Sequence, residues 1–169
     1  MKKTILYAAV LMVIPFMGSN AQESATASAT ATVVTPIAIS KTTDMSFGNV
    51  AVNSTTAGTV VLAPNSGRTV TGGATLPSTT GTVSAASFNV TGESGYTYSI
   101  SLPGSAITLN DGGSNNMTID TFTSSPSSTG TLTGGSETLN VGATLNLAAG
   151  QASGTYTSTT DITVTVNYN

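Results

Sequence analysis

The chain has 169 residues, of which 38% are hydrophobic, 5% aromatic and only 7% charged, and it contains no Cys, His or Trp. Those absences exclude Ser-His-Asp and Cys-His nucleophilic catalysis, a disulfide frame, and zinc sites built from imidazole and thiolate. A formal net charge of −3 offers no basic face to neutralise phosphates, so nucleic acid is not an expected partner.

The N-terminus has the layout of a secretory leader. Lys2 and Lys3 form a charged start, and residues 5–16 form an apolar run broken by Pro15. That run is too short for a membrane span. Ser19, Asn20 and Ala21 then set small residues around a cleavage point before Gln22. Residues 1–21 are therefore read as a signal peptide. The remainder is expected to be secreted, in the periplasm, at the cell surface or in a fimbrium, with no membrane span once the leader is removed. Lys41 and Arg68 are then the basic residues left against seven carboxylates. Weak charge repulsion suits a protein that associates.

Downstream, Val, Ile and Thr recur with period two, punctuated by Gly, Asn, Ser and Pro. Ala25, Ala27, Ala29, Ala31, Val33, Ile37 and Ile39 sit at odd positions among Ser and Thr, which predicts a long amphipathic strand. Pro36 interrupts it and denies one ladder donor. Residues 44–48 read as a short strand ending in a turn. Residues 58–62 and 68–71 read as a hairpin around Pro64-Asn65-Ser66-Gly67. A strand follows over 81–90, with a bulge near Ala86.

Tyr96, Tyr98, Ile100 and Leu102 alternate before Pro103-Gly104. Strands over 106–109 and 117–122 flank the loop Asp111 to Asn116. Residues 124–130 read as a mobile polar loop, as do 22–32. Leu139, Val141, Leu145 and Leu147 form a strand that breaks at Gly142, and Tyr156 leads to an alternating run of Ile162, Val164, Val166 and Tyr168. About nine or ten short strands predict an all-β fold, an immunoglobulin-like antiparallel β-sandwich over 37–169 with an N-terminal extension over 22–36. An outer-membrane barrel would need aromatic girdles that 5% aromatic content does not supply.

No metal or cofactor site is predicted. The Asp111 loop lacks the spaced Asp residues and closing Glu of a strong calcium loop, and reads as an Asx/Gly turn. Asp44, Glu93, Asp120, Glu137 and Asp161 are dispersed and read as solvated surface, so no enzyme is expected. Phe47 reads as core and Gly48 as a turn residue. Gly92 reads as a positive-φ turn position. Tyr96 and Tyr98 share a strand face and read as core packing with rim hydroxyls, in preference to a sugar-stacking platform. Residues 76–80 outwardly match a sorting signal, lack its Gly, and read as a loop.

The two ends of the sandwich carry the candidate site. Ala25, Ala27, Ala29, Ala31, Val33, Ile37 and Ile39 form a candidate donor strand, and Ile162, Val164, Val166 and Tyr168 a candidate terminal-strand interface. Strand donation supplies a row of main-chain hydrogen bonds and alternate side chains for pockets.

Several fragments also carry a resemblance, namely Ile37-Ala38-Ile39, Met45-Ser46-Phe47-Gly48 and Ala86-Ser87-Phe88-Asn89-Val90-Thr91-Gly92. Ser101-Leu102-Pro103, Val141-Gly142-Ala143-Thr144-Leu145, Gly154-Thr155-Tyr156 and the closing Val164-Thr165-Val166-Asn167-Tyr168-Asn169 complete the set. Together they resemble the bacterial secreted family catalogued as domain of unknown function four-four-zero-two. That family is distantly similar to spore-coat-U-type subunits of archaic chaperone–usher pili. Those pilins commonly carry a cystine, which this chain lacks. The resemblance implies an exported β-sandwich and a periplasmic chaperone as a partner. The expected function is thus an exported structural or adhesive cell-surface protein, fimbria-like, joining copies of itself or related surface subunits by β-strand complementation. The alternative is a monomeric adhesin that presents loops 64–80 or 110–130 to a glycan.

Overall fold

The structure, a computed structural model, describes residues 21–169. The leader therefore lies outside the described residues except for Ala21. The chain divides into two units, one ending at Thr32 and one comprising Val33–Asn169. Residues 21–32 are exposed throughout and form neither helix nor strand.

The second unit is all-β, with antiparallel pairing at every ladder. Its strands are β1 (Ala38–Thr43), β2 (Ala51–Val52), β3 (Gly58–Leu62), β4 (Arg68–Gly72), β5 (Ala74–Thr75), β6 (Ala86–Thr91) and β7 (Thr97–Ser101). They continue as β8 (Ile107–Asn110), β9 (Asn116–Ser125), β10 (Thr129–Thr131), β11 (Ser136–Leu147), β12 (Thr157–Ser158) and β13 (Thr165–Tyr168).

The organising element is β11. Leu139, Val141, Ala143, Leu145 and Leu147 all turn inward and are buried, so the apolar face of this 12-residue strand runs unbroken from Leu139 to its end. On one side its first half pairs with β6 and its second half with β3, while β9 pairs along the other side. Two cores result. The first gathers Phe47, Val60, Leu62, Ile107, Ile119 and Leu145. The second gathers Phe88, Val90, Tyr98, Leu132, Leu139 and Val166. Over the second core the order β1-β6-β11-β9 faces a three-stranded sheet, β10-β7-β13, to give a β-sandwich. Over the first core the facing layer is thinner, made of the β2–β5 ribbon and irregular segments near Met45 and Leu76.

The hairpin over 58–71 forms as the sequence predicts, with Leu62 opposite Arg68. Its turn is closed by Ala63 N–H donating to Gly67 C=O at 2.8 Å and by Asn65 Oδ1 accepting from Gly67 N–H. Five expectations need correction. The strand predicted to run through 25–39 begins only at Ala38. Ala and Thr alternate upstream, but methyl groups bury too little apolar area to offset the cost of ordering the backbone. Residues 44–48 form no strand, only the bridge Ser46–Ser84, and the strand predicted from residue 81 starts at Ala86.

Residues 124–130 are not a free loop. Ser124 and Ser125 pair with Val141 and Asn140, and β10 pairs with β7. The signal was hidden because Thr121, at φ +49°, inserts a bulge that flips the inward parity from Ile119 to Phe122. Finally, Gly142 does not break β11. A side chain there would meet the Leu62 carbonyl, so glycine is what lets the neighbouring chain cross the strand.

Candidate functional site

The chain enters its sandwich through a clamp at Thr35. Tyr168 Oη donates to the Thr35 carbonyl at 2.7 Å and accepts the Glu93 N–H at 2.6 Å. The Glu93 carboxylate in turn accepts the Thr35 N–H at 2.9 Å. That contact holds the Glu93 carboxyl below the usual carboxylate range. Gly92 is required for a steric reason, because a Cβ would strike the Tyr168 hydroxyl; it is not among the positive-φ glycines. The Tyr96 ring packs edge-on against Tyr168 with centroids 5.6 Å apart. Thr35 and Glu93 carried no recognisable signal in the sequence, since their partner lies at the opposite end of the chain.

From the clamp, Ile37 and Ile39 point into the second core and stay half-buried. β1 pairs on one side with β6 and is otherwise the edge of its sheet. A bulge between Lys41 and Thr43 and an exposed ion pair of Lys41 with Asp44, at 2.6 Å, blunt that edge. Asp44 holds the Lys41 ammonium above its usual range, and Asp161 adds a smaller push in the same direction.

β13 is the other margin. Among the described residues its one strand partner is β7. Asn169 N–H donates to Thr97 C=O at 3.2 Å, so Asn167 and Thr165 also face β7 by the antiparallel alternation. The N–H and C=O groups of Val166 and Tyr168 consequently point to the open side. No charged residue sits on β13. Val166 is buried, whereas Ile162, Val164 and Tyr168 are half-buried, Ile162 on the first core and the other two on the second. The alternation predicted for this run is present, but its ladder covers only Thr165–Tyr168 because 160–164 form no strand.

The donor candidates are placed differently. Ala25, Ala27, Ala29 and Ala31 are exposed. Val33 is 95% exposed, an unusual state for an apolar side chain beside a folded core.

The remaining polar groups serve the fold. Tyr98 is fully buried, so it cannot form a sugar platform with half-exposed Tyr96. Its hydroxyl donates to Glu137 Oε2 at 2.8 Å, and the same oxygen accepts the Thr131 N–H at 2.8 Å. Asp111 closes its own loop by accepting from the Asn115 side chain at 2.6 Å and from Gly113 N–H at 2.8 Å. Asp120 accepts from Asn146 at 3.0 Å. Five of the seven carboxylates (Asp44, Glu93, Asp111, Asp120 and Glu137) are thus engaged one by one in local contacts.

Burial, and then the Glu137 carboxylate, push the Tyr98 phenol well above its usual range. The unfolded chain ionises this group near pH ~10, while the folded chain keeps the proton. Stability is therefore complete below that pH and falls as pH rises above it. Urea unfolding at pH ~8 and pH ~11 should show a steeper alkaline loss in the native protein than in Tyr98→Phe. Equal losses would contradict the assignment.

The sequence model of the family described as Domain of unknown function (DUF4402) matches residues 37–168. The chain belongs to the DUF4402 family. No curated protein and no solved structure matches it. The matched DUF4402 region begins at Ile37 and ends at Tyr168. It thus contains β1 and the open edge of β13, and leaves the alternating Ala segment outside.

Proposed function

We propose that this DUF4402 protein is an exported structural or adhesive component of the bacterial cell surface, fimbria-like, that joins copies of itself or related subunits by β-strand complementation. The observation that carries this reading is the open edge of β13, which lies beside the half-buried Ile37 and Ile39 at the start of β1 and bears no charge. Unpaired, uncharged edges template pairing with another chain. The exposed alternating segment before Thr35 supplies a strand of matching chemistry, with Ala25, Ala27, Ala29, Ala31 and Val33 on one face. Each buried methyl contributes roughly 0.8 kcal/mol, so specificity comes from the main-chain ladder and the acceptor's own apolar side chains. An edge of this kind needs cover before assembly, a role suited to a periplasmic chaperone.

Sedimentation velocity and electron microscopy of the full chain, secreted with its own leader, test the reading against a variant lacking residues 22–33. The full chain should form concentration-dependent multimers and the deletion variant should remain monomeric. A full chain that stays monomeric at every concentration would overturn it.

A further inference from the structure

The two cores differ in how they are covered. The second is closed by the sheet β10-β7-β13. The first is closed, over β8, β9 and the end of β11, by segments 45–52 and 151–156, which have little regular structure. Between this cover and the sheet lies a cavity of about 690 Å³. Close-packed interiors leave few voids larger than a water molecule, and a space of this size falls within the range of small-molecule sites.

The floor of the cavity is the inward face of three adjacent strands. Leu109 of β8 stands directly opposite Met117 of β9, and Leu145 and Leu147 of β11 continue the surface. Phe47 meets it from the cover. Met45 and Met117, the two methionines beyond the leader, both line the space. Their flexible thioethers suit a surface that adapts to a ligand.

Polar contacts brace the cover, in place of side chains filling the space beneath it. The Arg68 guanidinium donates to the carbonyls of Phe47 and Asn49. On the other segment the Gln151 amide donates to Asn116 C=O at 3.2 Å and to Tyr156 Oη at 2.9 Å. Tyr156 Oη donates in turn to Ala152 C=O at 2.8 Å. Gly150 N–H donates to Asn53 C=O at 2.9 Å, which ties the ends of the two segments together. Among the described residues none that lines the cavity is charged. Thr82, Ser153 and Thr155 are exposed lining residues and place hydroxyl-bearing side chains at its rim.

We propose that this cavity binds one uncharged amphiphile, with an aliphatic chain on the leucine and methionine floor and a hydroxylated head at the rim. Every lining residue falls within 45–156. The site therefore uses neither β13 nor the segment before Thr35, and it is independent of strand complementation. Burying the chain removes apolar surface of both floor and ligand from water. The absence of charge in the lining sets the ligand class. An ionised carboxylate drawn into the cavity would lose hydration and find no cation to pair with. A glycerol-type head exchanges its hydrogen bonds to water for bonds to the rim hydroxyls.

The test titrates N-phenyl-1-naphthylamine, an uncharged dye that brightens in apolar surroundings, into the full chain. The bound dye is then displaced with 1-monodecanoylglycerol or with decanoate, each below its micelle concentration, at pH ~8, where the carboxylate is ionised. Saturable binding of one dye per chain is expected, with the monoglyceride displacing it at a concentration about tenfold below that of decanoate. Met117→Trp, which fills the floor, should weaken dye binding by about tenfold. Thr71→Trp, at an exposed position of β4, should leave it unchanged. Where Met117→Trp lowers the melting temperature, Ala152→Trp at the exposed rim takes its place. Absence of saturable binding, or binding that persists in the folded cavity variant, would overturn the site. Displacement by decanoate as readily as by the monoglyceride would overturn the uncharged ligand class.

Discussion

Gly142→Ala should destabilise the fold by about 3 kcal/mol, at the upper end of what overpacking costs, and should lower the thermal midpoint by roughly 10 °C. Gly142 lies where β11 exchanges β6 for β3 along one side. An added methyl would collide with the Leu62 carbonyl and lie 2.8 Å from the Ala63 carbonyl carbon and 3.0 Å from Pro64 N. All three are backbone atoms, and the hairpin turn that follows fixes them. Relief therefore requires β3 to move off β11, which opens the first core around Val60 and Leu62, both fully buried. Differential scanning calorimetry checks this. A variant melting with the native protein would show that the two strands can separate without cost.

Tyr168→Phe should cost about 2 kcal/mol, from the loss of two hydrogen bonds at roughly 1 kcal/mol each. The ring packing on Tyr96 is retained, so the change isolates the hydroxyl. Without it the Thr35 carbonyl and the Glu93 N–H both lose their partner. The predicted sign is a lower urea midpoint with an unchanged slope, since the surface exposed on unfolding is the same. Amide exchange in β1 should also quicken, because its entry point is no longer pinned. An unchanged midpoint would mean that solvent replaces both bonds at no cost.

The hairpin over 58–72 and the alternating run 96–102 were legible because each combines bulky β-branched or aromatic residues with strong turn residues at the right spacing. The Ala-rich stretch from residue 25 shows the limit of that reading. Its period is right, but the strand starts only after Ile37 supplies a side chain worth burying. β9 fails differently, since one left-handed residue at Thr121 inverts the parity that the pattern depends on. Gly142 has the same local appearance as a turn glycine, and its function is fixed by a carbonyl from a strand distant in sequence.

The site was legible to the same extent. Ile162, Val164, Val166 and Tyr168 were recognisable as one inward row, and they are. Their partners in the clamp, Thr35 and Glu93, were not recognisable, because the Tyr168–Thr35 contact joins residues 133 positions apart and nothing local marks either one.

In the proposed assembly β13 offers its open edge to a strand from another copy. Residue-resolved amide hydrogen exchange at Val166 and Tyr168 tests this most directly, at a concentration where the full chain is assembled and alongside the variant lacking residues 22–33. Slow exchange at both amides in the full chain, and fast exchange at both in the shortened one, is predicted. Equally fast exchange in the two proteins would show that nothing pairs with that edge.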